Sequence, residues 1–187
     1  MNADRGRWAA YPTHLAAKGT LRDGTLVSVR PIHAADLRLE CAFVAGLSSQ
    51  TRYERLLSAR RLLPGELRRL TRIDYRRDMA LVAQREGAPA LLGVARYVRL
   101  DDPSGAEIAL VVGDAWQGRG LGELLLRRLL DAARQHDLDR LEGLTLSTNL
   151  RMLALARKLG FAAHRELQDA TLTGLSCRLA PARLRAS

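Results

Sequence analysis

The 187-residue chain is 47% hydrophobic and 27% charged, with a formal net charge of +10; this excludes a disordered chain and fits one domain able to bury roughly 70% of its unfolded surface. Two cysteines, Cys41 and Cys177, lack C-x-x-C spacing, and the four histidines share no spacing, so neither a disulfide framework nor a metal site is expected. No apolar run is long enough for a signal peptide or a membrane span, so a cytoplasmic protein with no membrane partner is expected.

Residues 1–20 read as a flexible basic leader without hydrophobic period, although Trp8 and Tyr11 could pack back on the domain. A single domain is expected over residues 21–180. Thr25 to Arg30 alternates apolar and polar residues as a half-buried strand does, and Pro31 closes it. Leu37, Cys41, Val44 and Leu47 recur at helical spacing; Ser48-Ser49 then breaks the pattern and can cap a second helix through Tyr53 and Leu57. Pro64 suits the first position of a third short helix.

Met79 to Gln84 and Ala90 to Leu100 are apolar runs separated by Arg85-Glu86-Gly87-Ala88-Pro89, which predicts a hairpin. After the turn Asp101 to Gly105, Glu107 to Val112 becomes a third consecutive antiparallel strand. A helix follows with Leu121, Leu125, Leu129, Ala132 and Ala133 on one stripe, ending near Asp137. Leu141 to Ser147 is the next strand and Asn149 to Leu159 the next helix; the chain closes with strands from Phe161 and over Thr171 to Leu179, then a solvated tail, residues 181–187.

The stretch Val111 to Gly122, VVGDAWQGRGLG, passes from strand through glycine loop into helix, an order that builds an anion site. Glycines let several N–H groups approach one ligand, and the helix N-terminus adds about half a positive charge. Arg119 would add a cation. Glu123 stands where the third glycine of G-x-G-x-x-G would fall, and no Lys follows these glycines, which excludes both the dinucleotide and the triphosphate fingerprints. The basic residues are spread along helices, with four tyrosines, two phenylalanines and no nucleic-acid motif, so the charge reads as a cationic surface that gathers a polyanionic ligand.

Gln117-Gly118-Arg119-Gly120-Leu121-Gly122 resembles the pyrophosphate loop [QR]-x-x-G-x-[GA] of the GNAT acetyltransferases. Asn149 to Phe161 resembles the later family segment N-x-x-A-x-x-L-Y-x-K-x-G-F, with Asn149, Leu155, Lys158, Gly160 and Phe161 in place. Val29-Arg30-Pro31-Ile32 with Ala35-Asp36, Leu47-Ser48-Ser49 with Tyr53-Glu54-Arg55, and Asp74-Tyr75 are similar to the acetyltransferase domain of bacterial protein lysine acetyltransferases of the Pat type.

The resemblance implies an α/β (α+β) GNAT fold, a mixed sheet of about six to seven strands with helices on both faces. It also implies acetyl-CoA as co-substrate, held by Val111, Val112, Gln117, Gly118, Arg119, Gly120, Leu121, Gly122 and Asn149. In such enzymes the strand before the loop bulges, so that backbone N–H groups at Val111 and Val112 would bind pantetheine and thioester. A Glu at the place of Glu107 serves as general base toward an amine acceptor, here favoured as a protein lysine, in a monomer or homodimer. Where many of these enzymes carry Tyr to protonate the departing thiolate, this chain has Ala156; Ser147, Thr148 and Tyr97 are the remaining candidate donors. The alternatives are transfer to a small amine and a non-catalytic acyl-CoA sensor.

Overall fold

In a computed structural model of the chain, residues 10–57 and 62–180 are described. Nine residues of the expected leader and the expected tail, 181–187, lie outside them. The strands are β1 (Ala17–Thr20), β2 (Leu26–Pro31), β3 (Asp78–Arg85), β4 (Leu91–Arg99), β5 (Gly105–Val112), β6 (Arg140–Leu146), β7 (Ala162–Arg165) and β8 (Leu172–Arg178). They form one sheet in the order β1-β2-β3-β4-β5-β6-β8-β7. Neighbours are antiparallel except β5 and β6, which run parallel. The helices are α1 (Leu37–Gly46), α2 (Ser49–Leu56), α3 (Pro64–Thr71), α4 (Leu121–Gln135) and α5 (Leu150–Lys158); among the described residues none is long and apolar enough to cross a membrane.

The sheet has one strand more than the six to seven expected. The addition is β1, which pairs with β2 although its sequence, AKGT, carries no apolar alternation. An edge strand gains its order from backbone pairing, and its exposed Lys18 suits an unpaired edge. Tyr11 does pack back: its hydroxyl donates to the Pro31 carbonyl at 2.6 Å, and its ring meets Tyr75 edge-on.

Central strands are buried on both faces, which explains their continuous apolar runs. On β3, Met79, Leu81 and Ala83 join the core against α4, while Ala80 and Val82 join a second cluster with Phe43 and Leu47 from α1. Helix α4 supplies Leu121, Leu125 and Leu129, all fully buried, so its predicted stripe is the inward face.

Helix α1 differs from its predicted face. Within it Glu40 and Phe43 are buried, with Asp36 and Leu47 buried at its two ends; of the expected Leu37, Cys41, Val44 and Leu47, only Leu47 is fully inward and the other three are half-buried. The reason is a charged residue on the inward face. Glu40 Oε1 accepts from Arg96 Nη2 of β4 at 3.2 Å, with side chains 3% and 8% exposed, and Arg96 Nη1 also donates to the Leu70 carbonyl at 3.1 Å. Burial pushes the Glu40 carboxyl pKa up against the opposing pull of Arg96. This pair ties α1 and the end of α3 to the sheet.

A second tie fixes α2. Ser48 caps it by accepting from the Thr51 N–H, as its sequence suggested. Asp114, in the short turn after β5, then accepts from the Ser48 N–H (2.9 Å), the Ser48 hydroxyl (2.6 Å) and the Thr51 hydroxyl (2.7 Å). Burial alone would raise the Asp114 pKa, but these hydrogen bonds outweigh it and hold it at about 2.

Arg96→Ala leaves Glu40 buried without its cation and is expected to lower stability by about 3–5 kcal/mol in denaturant unfolding, whereas Glu40→Leu with Arg96→Met recovers most of that loss. For Asp114, a folded pKa below the ordinary 3.8 means that its tie stabilises fully above that value and is lost as pH falls toward about 2. Fluorescence of Trp116, recorded in a Trp8→Phe background, should report an acid transition in that window, and Asp114→Asn should abolish it.

Candidate active site

The parallel pair β5 and β6 is bonded only over Gly105–Glu107 against Arg140–Glu142. Beyond it, β5 stays in register with β4 up to Val112, while β6 follows β8. The two strands therefore diverge and leave one edge of β5 open. The crotch is tight enough to favour a glycine: a Cβ at Gly143 would stand 3.0 Å from Ile108 Cγ1 and 3.2 Å from its carbonyl oxygen.

The register of β5 on β4 is unbroken, so the expected bulge is not what frees the edge. The Gly113 N–H donates to the Leu92 carbonyl, and the Val112 carbonyl accepts from Gln117 Nε2. Since backbone groups alternate sides along a strand, Leu110 and Val112 present theirs to the opening. Val111, expected to share that role, turns its backbone to β4 and its side chain into the α1 cluster.

After β5 the chain makes the Asp114–Trp116 turn and enters α4 through the glycines. Gly118 and Gly120 have φ of +76° and +92°, values that L side chains rarely adopt. Gly120 is the N-cap of α4. The N–H groups of Gly120, Leu121, Gly122 and Glu123 thus have no partner within the helix and point out of its positive end. Leu121 contributes only this backbone group, because its side chain is fully buried.

Gln117 is a strut. Its Nε2 donates to the Val112 carbonyl and the Thr51 hydroxyl, both at 3.2 Å, and its Oε1 accepts from Arg151 at 2.6 Å. Asn149 caps α5 by accepting from the Met152 N–H at 3.0 Å.

Loop, open edge and α5 enclose one cavity of about 490 Å³, lined by Glu107, Val111, Val112, Gln117, Gly118, Gly120, Gly122 and Asn149 among others. Arg119 lies outside it: its guanidinium sits 3.0 Å from Asp23 and 5.0 Å above the Trp116 ring centre. The cations that do line it are Arg22, Arg55, Arg151 and Lys158. They come from the β1–β2 turn, α2 and α5, so only the fold assembles them. The one signal in the sequence was Arg151 and Lys158, seven apart on one helix face.

Glu123, which served only to exclude a fingerprint, gathers three cations: Arg22 at 3.2 Å, Arg127 at 3.0 Å and Lys158 at 2.7 Å. Hydrogen bonds from Lys158 and then Arg127 hold its pKa near 2.

Glu107 lines the same cavity at its other end, exposed, at the last parallel pair. Five residues of strand, about 17 Å, separate it from Val112 beside the loop. A long, thin ligand with a polyanionic head fits this shape. None of the three candidate thiolate donors lines the cavity. Tyr97 is fully buried, with its hydroxyl 2.8 Å from His136 Nδ1, and Ser147 pairs with Thr173. Ala156 packs into the main core.

Residues 48–161 match the acetyltransferase (GNAT) family. An acetyltransferase of Pseudomonas aeruginosa is 33% identical over 155 residues, 81% of this chain and 83% of that protein. Acetyltransferase Pat of Mycolicibacterium smegmatis is 29% identical over 87% of this chain, which spans about half (48%) of its length. The GNAT domain of S. lividans PAT superposes with a TM-score of 0.84 at 28% identity, covering 90% of this chain and 99% of that domain. The Salmonella typhimurium protein yncA, solved with its cofactor acetyl-CoA, shares the fold at a TM-score of 0.68 and 20% identity over 86% of this chain and 98% of its own. With more than half of its length matched and a relative one third identical across most of both chains, the chain belongs to the GNAT acetyltransferase family.

Proposed function

We propose that the protein transfers the acetyl group of acetyl-CoA to a primary amine, with a protein lysine as favoured acceptor, directly within a ternary complex. The observation that carries this reading is a single cavity with an anion-binding glycine loop at one end and a carboxylate at the other.

The loop N–H groups from Gly120 to Glu123 receive the pyrophosphate, and Arg22 and Lys158 add charge beside it. The open edge of β5 at Leu110 and Val112 accepts the pantetheine arm as a missing strand would be accepted. It also directs N–H groups at the oxygen on which negative charge develops. Glu107 takes a proton from the incoming ammonium, whose pKa near 10.4 otherwise leaves little free amine at neutral pH. The neutral nitrogen then attacks the thioester carbon, the C–S bond breaks with the sulfur leaving as thiolate, and the nitrogen sheds its second proton to solvent water to give the neutral amide. A thiol pKa near 8.5 makes it a fair leaving group without a dedicated acid, which suits Ala156 and the placement of Tyr97. The similarity to Pat of M. smegmatis and to the GNAT domain of S. lividans PAT supports lysine as the acceptor. A cytoplasmic setting agrees with two cysteines that remain free.

Incubation with acetyl-CoA and a cell lysate, followed by mass spectrometry, should reveal newly acetylated protein lysines; acetylation confined to free amines would replace lysine by a small acceptor. Glu107→Gln should lower kcat by about 10² or more while acetyl-CoA affinity, measured by calorimetry, is retained. An unchanged rate would remove Glu107 from the chemistry.

A further inference from the structure

Arg55, in the last turn of α2, is the only charged side chain among the described residues that lines both the main cavity and a small chamber behind it. The other cavity cations have partners: Arg22 and Lys158 share Glu123, and Arg151 donates to Gln117. In the chamber, Arg96 is committed to Glu40 and the Leu70 carbonyl, and Arg52 donates to the Ser49 hydroxyl. Arg55 has no hydrogen bond or ion pair with any described residue. Burial, and then repulsion from Arg96, pull its pKa down to about 10; Glu40 and Glu107 pull the other way from beyond ion-pair distance.

A part-buried guanidinium with five donors and no acceptor is costly unless a ligand brings one. The donor's phosphates belong at the glycine loop, at the other end of the cavity. What reaches Arg55 beside Glu107 is the acceptor. Glu54, the other carboxylate facing this end, already accepts from Gln50 at 2.7 Å. The acceptor end therefore pairs one unengaged base with one unengaged cation, which matches a zwitterionic group. The formal charge of +10 favours approach of acidic partners in the same sense.

Building on the acetyl-transfer reading, we propose that Arg55 selects acceptors carrying a carboxylate next to the reactive amine. The guanidinium receives the carboxylate while the amine faces Glu107. The carboxylate is either an Asp or Glu flanking a protein lysine or the α-carboxylate of a free amino acid.

Peptides identical except for Asp, Ala or Arg beside a single lysine, and free amino acids against their amides, distinguish the two sources. The wild-type protein should favour the Asp peptide, or the acid over its amide, by about tenfold or more in kcat/KM, mainly through KM, as a charge-assisted bidentate contact requires. Arg55→Gln should collapse that ratio to near one, and Arg55→Lys should retain part of it, because a point charge lacks the planar fork. Turnover without a charge preference in the wild type, a preference that survives Arg55→Gln, or a loss seen only in the choice between succinyl-CoA and acetyl-CoA would overturn the proposal. Failure of every acceptor while acetyl-CoA still binds would instead overturn the transfer reading, and this proposal with it.

Discussion

Strands in a sheet normally satisfy both of their edges, and β5 does so for only part of its length. Three residue pairs join it to β6, after which the strands part. The open backbone is tolerable because the rest of β5 is held: its other edge stays in register with β4 up to Val112, and helices cover both faces of the sheet. The cavity, the placement of the glycine loop at one end and that of Glu107 at the other all follow from this divergence. A fully zipped parallel pair would have neither an opening for a ligand nor free N–H groups to meet it.

Charge in the site is arranged rather than accumulated. Glu123 stands at the glycine-loop end of the cavity, where it collects Arg22, Arg127 and Lys158 and leaves a net positive cluster held in place. Deeper in the fold, Glu40 plays the same part for Arg96. In both cases an acid defines where cations sit; of the cations that line the main cavity, Arg55 is the one without a hydrogen-bond or ion-pair partner among the described residues.

Much of this was legible in the residues. Leu121, Leu125 and Leu129 announced α4 because a helix with one wet face must repeat at that spacing, and the glycines before it marked the loop because their backbone angles exclude side chains. Ser48 and Asn149 were readable as caps for the same local reason. Hidden features depended on partners far along the chain. The inward face of α1 contains Glu40, which a hydrophobic pattern rejects until Arg96 is known to lie opposite. β1 is ordered by pairing rather than by its own composition. Arg119 looked like a ligand cation from its place in the loop, but Asp23 and Trp116 draw its side chain away, while Arg22, nearly a hundred positions earlier, reaches the mouth instead. The alternation argument separated Val112 from Val111 only once the pairing with β4 was known.

The turn between β1 and β2 that carries Arg22 is tied to the glycine loop through its backbone: the Arg22 N–H donates to the Arg119 carbonyl at 3.1 Å, and Gly24 holds a positive φ of +83°. The Arg22 side chain itself is exposed on an edge hairpin, so the residue at this one position can change without disturbing the central strands. On the acetyl-transfer reading proposed above, the grip on the donor's head group divides between a floor set by backbone angles and a lip set by an exposed side chain. On that reading, a change of the side chain at position 22 retunes affinity for the donor at the lip while the open edge of β5 stays as it is.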